Sequence, residues 1–132
     1  MGEHHPPPFP DETATTMSDA KADLLKGTLD LLILKALTFG PRHGYGIARW
    51  LEESSQELLK IEEGSLYPAL SRMEQRGWIR SEWGTSTSNR KAKYYHVMPD
   101  GLHQLQTQAS GWERLVLAVS LVLQVEGKGN AV

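Results

Sequence analysis

The sequence predicts a mostly α-helical fold with a small β-hairpin, and three observations support this prediction. A short segment places Leu66, Leu70 and Met73 at helical spacings, with polar and aromatic residues between them. Beyond it, residues 78–83 and 94–98 are rich in aromatic and β-branched residues and flank a polar loop, as in a hairpin. A final segment keeps a seven-residue apolar repeat. Helices followed by strand, loop and strand indicate a winged helix-turn-helix, here extended by a long C-terminal helix.

Composition restricts the possible protein classes. With 132 residues, of which 39% are hydrophobic, the chain has the size of one domain with a small core. It has no cysteine, which excludes disulfides, thiolate zinc sites and cysteine nucleophiles. Its apolar runs are shorter than the roughly 18 residues of a membrane span, and its proline-rich, acidic N-terminus is unlike a secretory signal. We therefore expect a cytoplasmic protein that does not contact membranes.

The chain divides into four predicted segments. Residues 1–20 are expected to be a flexible tail, because they are rich in proline and show no apolar period. Residues 21–98 are assigned to the winged helix-turn-helix, residues 99–126 to a C-terminal dimerisation helix and residues 127–132 to a flexible end. The two histidines of the tail are too few for a metal site, which ordinarily has three or four ligands. No metal or cofactor is expected.

Two helices are predicted before the apolar stripe. The first spans residues 22–39, where apolar residues cover most of the helix circumference, and Gly40 and Pro41 end it. The second spans residues 44–54, and His43 is positioned to cap its start.

The third helix and the hairpin have clear boundary signals. Ser65 is expected to be the N-cap of the helix, which places Pro68 in the first turn, and Gly77 is expected to end it in a left-handed conformation. Trp78 and Trp83 are expected to anchor the first strand and the core rather than to stack on a ligand.

The outer face of the third helix and the hairpin loop carry groups that suit nucleic acid. The helix leaves Ser65, Tyr67 and Arg72 outside its apolar stripe, and such groups bond phosphates and base edges. Alternatively, Tyr67 packs within the domain and Arg72 pairs with acids on neighbouring turns. The net charge is −2, but nine bases and seven acids lie within residues 42–93, so positive charge is local. The loop, predicted at residues 84–93, contains a basic cluster of Arg90, Lys91 and Lys93.

The last helix, predicted from Pro99 to about Val125, carries a heptad seam. Spacings alternate between three and four along Leu102, Leu105, Ala109, Trp112, Val116, Val119 and Leu123. Other apolar residues make its C-terminal half apolar nearly all round, which is more than one small domain can bury. We therefore expect a homodimer with these seven residues at the interface, the alternative being a helix packed only on its own first helix. Trp112 is either core filler or one wall of a slot for a planar ligand.

Four motifs resemble those of the PadR-like transcriptional regulators. They lie at residues 27–34, 43–47, 63–70 and 89–95 and read GTLDLLIL, HGYGI, EGSLYPAL and NRKAKYY. The resemblance covers about residues 21–125 and is greatest to the short subfamily with a single C-terminal helix. It implies a winged-helix repressor that dimerises through its last helix.

The resemblance also implies which residues form the sites. Contacts of the third helix and the wing with DNA are implied for Ser65, Tyr67, Pro68, Arg72, Asn89, Arg90, Lys91 and Lys93. In some relatives a tryptophan at the place of Trp112 contributes to a pore between subunits that binds drugs. Met98 stands where many relatives have threonine, which removes a helix cap, and the proline-rich tail has no counterpart in the family.

A homodimeric repressor is the function that these observations favour. Two recognition helices would read a palindromic operator in double-stranded DNA, and a small aromatic effector would release it. The alternative is a winged-helix protein-interaction module without DNA binding, which the modest basicity favours. Catalysis is not expected, because the sequence has no Gly-rich phosphate loop, metal triad or nucleophile–base spacing.

Overall fold

The computed structural model of the protein describes residues 27–127, which form four helices and a three-stranded antiparallel sheet. In chain order the elements are α1 (residues 27–37), β1 (Arg42–His43), α2 (Gly44–Ser54), α3 (Glu63–Gln75), β2 (Ile79–Thr85), β3 (Lys91–Val97) and α4 (Pro99–Leu123). The predicted fold class, a winged helix-turn-helix with a long C-terminal helix, is confirmed. The predicted tail at residues 1–20, and all but the first residue of the predicted flexible end, lie outside the described residues.

Local hydrogen bonds and backbone conformation set the end of α1 and the start of α2. The predicted start of α1 lies outside the described residues, and its end is at residue 37 rather than 39. A turn replaces the α-helix there, because the backbone N–H of Thr38 donates to the carbonyl of Lys35, three residues earlier, at 3.1 Å. Gly40 then adopts a φ of 126°. Helix α2 has its predicted bounds, and the predicted His43 cap is confirmed. The Nδ1 of His43 accepts a hydrogen bond from the backbone N–H of Gly46 at 3.0 Å.

Helix α3 starts earlier than predicted. Its N-cap is Glu62, so the prediction of Ser65 as the cap is wrong. The backbone N–H groups of Ser65 and Leu66 both bond the Glu62 carbonyl at 3.0 Å, which places Ser65 inside the first turn. Pro68 consequently lies inside the helix rather than in its first turn, and the carbonyl of Gly64 loses its usual helical donor.

Gly77 ends α3 as predicted. Its φ is 79°, in the left-handed region that glycine adopts without steric cost. The backbone N–H of Gly77 bonds the carbonyl of Glu74 at 3.0 Å, and that of Trp78 bonds the carbonyl of Met73 at 3.1 Å. These two bonds form a Schellman motif, which stops the helix and lets β2 begin at once.

The sheet has the strand order β1–β3–β2 and is antiparallel throughout. Strand β1 was not predicted, because two residues are too short to show a period. The hairpin strands are longer than predicted, since pairing continues to Thr85 and Lys91 and shortens the loop at both ends, to residues 86–90. Gly84 leaves room for the ring of Tyr94, because a Cβ at this position would lie 3.0 Å from its Cδ2 atom.

The core lies where α1, α2 and α3 meet the sheet. Its largest fully buried side chains are Ile33, Leu34, Ile47, Leu66, Leu70, Met73 and Ile79. The apolar stripe predicted for α3 is therefore its buried face. Trp78 and Leu105 are partly buried and pack against this cluster, as expected for Trp78.

Helix α4 is attached to the domain through its first turn. It begins at Pro99, as predicted, and Met98 supplies no side-chain cap. The backbone N–H of Met98 instead bonds the carbonyl of Trp78 at 2.9 Å. Gly101 is buried against the same carbonyl, and a Cβ at this position would overlap the Trp78 oxygen and lie 3.1 Å from Leu34 Cδ2. Glycine therefore sets how closely α4 approaches the core.

The C-terminal part of α4 extends away from the core. The helix ends at Leu123, before the predicted end near residue 125, and Gly101 is its buried residue. Large apolar side chains along it are between 42% and 78% exposed: Leu102, Trp112, Leu115, Val116, Leu117, Val119, Leu121, Val122 and Leu123. The helices of the described residues are all too short or too polar to cross a membrane.

Candidate nucleic-acid interface

Helix α3 presents a polar face away from the core. Ser65 and Pro68 are exposed, and Tyr67 is 44% exposed. The Tyr67 ring covers the start of α2, because a Cβ on Gly44 would lie 2.5 Å from the Tyr67 hydroxyl oxygen. The ring is thus positioned by packing while much of it stays accessible, so packing and contact with a ligand are compatible at this residue.

Arg72 is directed toward α1. Its guanidinium donates a hydrogen bond to the carboxylate of Asp30 at 2.8 Å, across 42 residues of sequence. The Asp30 side chain is 9% exposed and that of Arg72 is 31% exposed. The ion pair ties α3 to α1 and orients Arg72, whose partner is not an acid of its own helix.

Replacing Arg72 by Met is expected to lower the free energy of unfolding by about 2 kcal/mol, because it leaves the nearly buried Asp30 carboxylate without its donor. Urea unfolding measures this loss. In the double variant with Asp30→Asn, part of the stability should return, since the uncompensated charge is gone. Equal stability of Arg72→Met and the unmodified protein would show that the pair has no structural role.

The wing, defined as β2, β3 and the loop at residues 86–90, ends in a compact turn. The backbone N–H of Ser86 bonds the carbonyl of Arg90 at 2.8 Å, and that of Asn89 bonds the carbonyl of Ser86 at 2.9 Å. Asn89 has a φ of 64°, which asparagine tolerates better than most residues. The turn leaves Asn89, Arg90, Lys91 and Lys93 exposed.

An open groove of about 1070 Å³ separates the wing from the start of α2. Tyr67 lies on its wall, and the cations that line it are Arg42, Arg49, Arg90, Lys91 and Lys93. The lining includes one acid, Glu53, which accepts a hydrogen bond from Arg49 at 2.6 Å. This bond, followed by the one with Tyr45, raises the pKa of the Arg49 guanidinium above its ordinary value. The groove is therefore a cationic surface of the kind that binds a phosphate backbone.

Strand pleating separates the charges of the wing. Glu82 lies on the face opposite the groove, where it pairs with Arg80 at 3.2 Å and with His96 at 3.4 Å. The hydrogen bond from Arg80, followed by the charge of His96, lowers the pKa of the Glu82 carboxyl below its ordinary value. Lys91 and Lys93 are cross-strand partners of Thr85 and Trp83, which alternate with Glu82, so they project to the groove side. The acid of the wing is thus held away from the groove.

Three residues that line the groove were not predicted from the sequence to belong to the site. Arg42 and Arg49 line the groove but are isolated in sequence, so no local charge cluster revealed them. Trp83 was expected to be a core or strand anchor, and this prediction is wrong, because its side chain is 68% exposed and lines the groove. Strand alternation could not have revealed this, since it places Trp83 on the same face as the buried Ile79, and only the tertiary structure shows that Trp83 is exposed.

The predicted seam of α4 is divided between two environments. Leu105 and Ala109 are partly buried, whereas Leu102, Trp112, Val116, Val119 and Leu123 are exposed. Packing on the protein's own first helix therefore does not cover the C-terminal half within the described residues. The exposed face is large and apolar, as expected of a surface that meets another molecule.

Comparisons with known proteins agree with this architecture. The family model "Transcriptional regulator PadR-like family" matches residues 33–107, which include α3, the wing and the start of α4. This match covers more than half of the chain.

Three solved structures of transcriptional regulators are similar to this chain. A PadR-like transcriptional regulator from Bacillus cereus is 32% identical, with a TM-score of 0.68, over 79% of this chain and 99% of that one. A PadR family transcriptional regulator from Eggerthella lenta is 30% identical, with a TM-score of 0.69, over 87% of this chain and 98% of that one. A transcriptional regulator from Clostridium thermocellum is 31% identical, with a TM-score of 0.68, over 74% and 95%. With this fold, these motifs and these matches, the chain belongs to the PadR-like family of transcriptional regulators.

Proposed function

We propose that the protein is a homodimeric repressor that binds a palindromic DNA operator and is released by a small aromatic effector. The observation that supports DNA binding is the cationic groove, which adjoins the exposed face of α3. The acid in its lining, Glu53, is paired with Arg49. Cations concentrated beside an exposed helix suit a phosphate backbone, which favours DNA over the protein-interaction module.

The two parts of the interface have different tasks in this proposal. Ser65, Tyr67 and Pro68 of α3 face the major groove, where hydroxyl groups and apolar surface read base edges. Arg72 has a supporting task, because its ion pair with Asp30 holds α3 against α1. Phosphate contacts come from the wing residues Asn89, Arg90, Lys91 and Lys93, which fix the register on the duplex.

A homodimer accounts for the exposed apolar face of α4. The proposed interface is formed by Leu102, Leu105, Ala109, Trp112, Val116, Val119 and Leu123. A two-fold contact along this seam would present two copies of α3 to successive major grooves, about 34 Å apart on a palindrome.

The seam also offers a place for an effector. Trp112 is 42% exposed and lies between the small residues Ala109 and Gly111 and the apolar C-terminal half of α4. A flat aromatic molecule that stacks on this indole between subunits would change their relative angle and so the spacing of the two α3 helices. We place this regulator in the cytoplasm, where it meets both DNA and small metabolites.

Fluorescence anisotropy with labelled duplexes tests the function. The duplexes tile the DNA upstream of the protein's own gene and are titrated at two salt concentrations against scrambled competitor. Tight, salt-sensitive binding to one palindromic tile is expected. Weak binding that does not change with salt on every tile would favour the protein-interaction module, because such a module releases no counterions from DNA.

Replacing both Lys91 and Lys93 by Ala is expected to weaken binding to all duplexes and to reduce the slope of log K against log salt by up to about two units. Each lysine that neutralises a phosphate releases about one counterion. The matched control is Lys35→Ala with Lys60→Ala, since neither residue lines the groove. A slope that the wing variant shares with the unmodified protein would remove the wing from the interface.

A further inference from the structure

Trp83 is an exposed aromatic residue on the groove face of the wing. It pairs across the hairpin with Lys93, and the next pair on this face joins Thr85 with Lys91. Directly paired residues of antiparallel strands project from the same face. The groove face of the wing therefore presents one indole beside two lysines. No acid among the hairpin residues shares this face, because Glu82 lies on the opposite one.

The packing of the domain does not account for the position of Trp83. Its side chain is 68% exposed. Phe39, an aromatic residue of similar exposure, has an internal role, since its ring lies 5.5 Å from the Trp50 ring and Lys35 sits over it at 5.2 Å. Among residues 27–127, neither a ring nor a cation stacks on Trp83 in this way. A large apolar side chain left in water beside cations gains free energy when a partially apolar polyanion covers it.

We propose that Trp83 is a DNA-contacting residue of the wing, whose indole packs against the deoxyribose sugars of the strand that Lys91 and Lys93 hold by its phosphates. Duplex DNA fits this surface because its backbone alternates anionic phosphates with apolar sugar edges, as the wing alternates lysines with an indole. This inference rests on the proposed function and deepens it. It assigns the wing an apolar contact in addition to charge neutralisation.

Three variants separate this contact from charge and from folding. Trp83→Ala is expected to raise the Kd for a labelled 30-base-pair duplex about tenfold, from the loss of about 60 Å² of buried apolar surface. Trp83→Phe keeps a smaller ring and should raise it about threefold. Both should leave the salt slope unchanged, because no cation is removed. Leu58→Ala, the control at an apolar side chain that is 86% exposed and does not line the groove, should leave the Kd unchanged.

Tryptophan fluorescence tests directly whether the Trp83 indole contacts DNA. Duplex binding should quench tryptophan emission in the unmodified protein and clearly less in Trp83→Phe, while circular dichroism shows that both variants keep the fold. Affinity and quenching of the Trp83 variants equal to those of the unmodified protein would overturn the inference alone, provided that Lys91→Ala with Lys93→Ala still lowers the salt slope. Absence of salt-sensitive binding by the unmodified protein would overturn the proposed function and this inference with it.

Discussion

Gly101→Ala is expected to lower the free energy of unfolding by about 3 kcal/mol, one of the largest effects of a single methyl group in this protein. The added Cβ would overlap the carbonyl oxygen of Trp78, a backbone atom that cannot rotate aside. That oxygen also accepts the hydrogen bond of Met98 at 2.9 Å, so moving it away would break a second contact. Urea-induced unfolding followed by circular dichroism measures the change.

Gly111→Ala is the matched control for this substitution. Gly111 lies in the same helix, and a Cβ there would meet no atom within 4 Å. Its replacement should raise stability by about 0.5–1 kcal/mol, through helix propensity alone. The two substitutions should therefore have opposite signs. If Gly101→Ala were as stable as Gly111→Ala, the close approach of α4 to the Trp78 carbonyl would not exist in solution.

Val116→Glu combined with Val119→Glu is expected to convert the protein to a monomer and to abolish high-affinity operator binding. Both valines are exposed on the apolar half of α4, 42% and 47% respectively. A two-fold contact would bring four added carboxylates into an apolar seam, where unpaired charge costs several kcal/mol, and roughly 4 kcal/mol is a thousandfold in Kd. Sedimentation equilibrium gives the mass, and anisotropy gives the affinity.

The control for charge alone is Thr107→Glu combined with Ser110→Glu. Both residues are exposed on α4 and lie outside the heptad seam. This variant should remain a dimer and lose at most part of its affinity through long-range repulsion. A Val116 and Val119 variant that sediments as an intact dimer would exclude the seam as the interface and require another surface.

Local periodicity and capping predicted much of the fold. The bounds of α2, its His43 cap and the left-handed Gly77 all depend on hydrogen bonds between residues at most five apart. The buried face of α3 followed from residues spaced by one helical turn. Such features are encoded in short segments, which is why spacing and residue type were sufficient for them.

The candidate site was predicted less completely than the fold. The basic cluster of the wing was visible as a run in the sequence, and the structure places it on the groove. Arg42 and Arg49 joined the groove only through folding, since β1 and α2 bring them to the wing from a distance in sequence. The seven residues of the seam remain a predicted interface.

Residue spacing was enough to define the helices, the hairpin and the apolar seam, because each is a repeat of short-range chemistry. Tertiary structure decided which surface each side chain joins. Asp30 pairs with Arg72 across 42 residues of sequence, Gly101 packs against the carbonyl of Trp78, and the side chain of Trp83 is exposed. These three features follow from how the elements pack and not from a local sequence pattern. The physical reason is that a helix or strand specifies its own faces, whereas the partner of each face depends on the relative placement of distant segments.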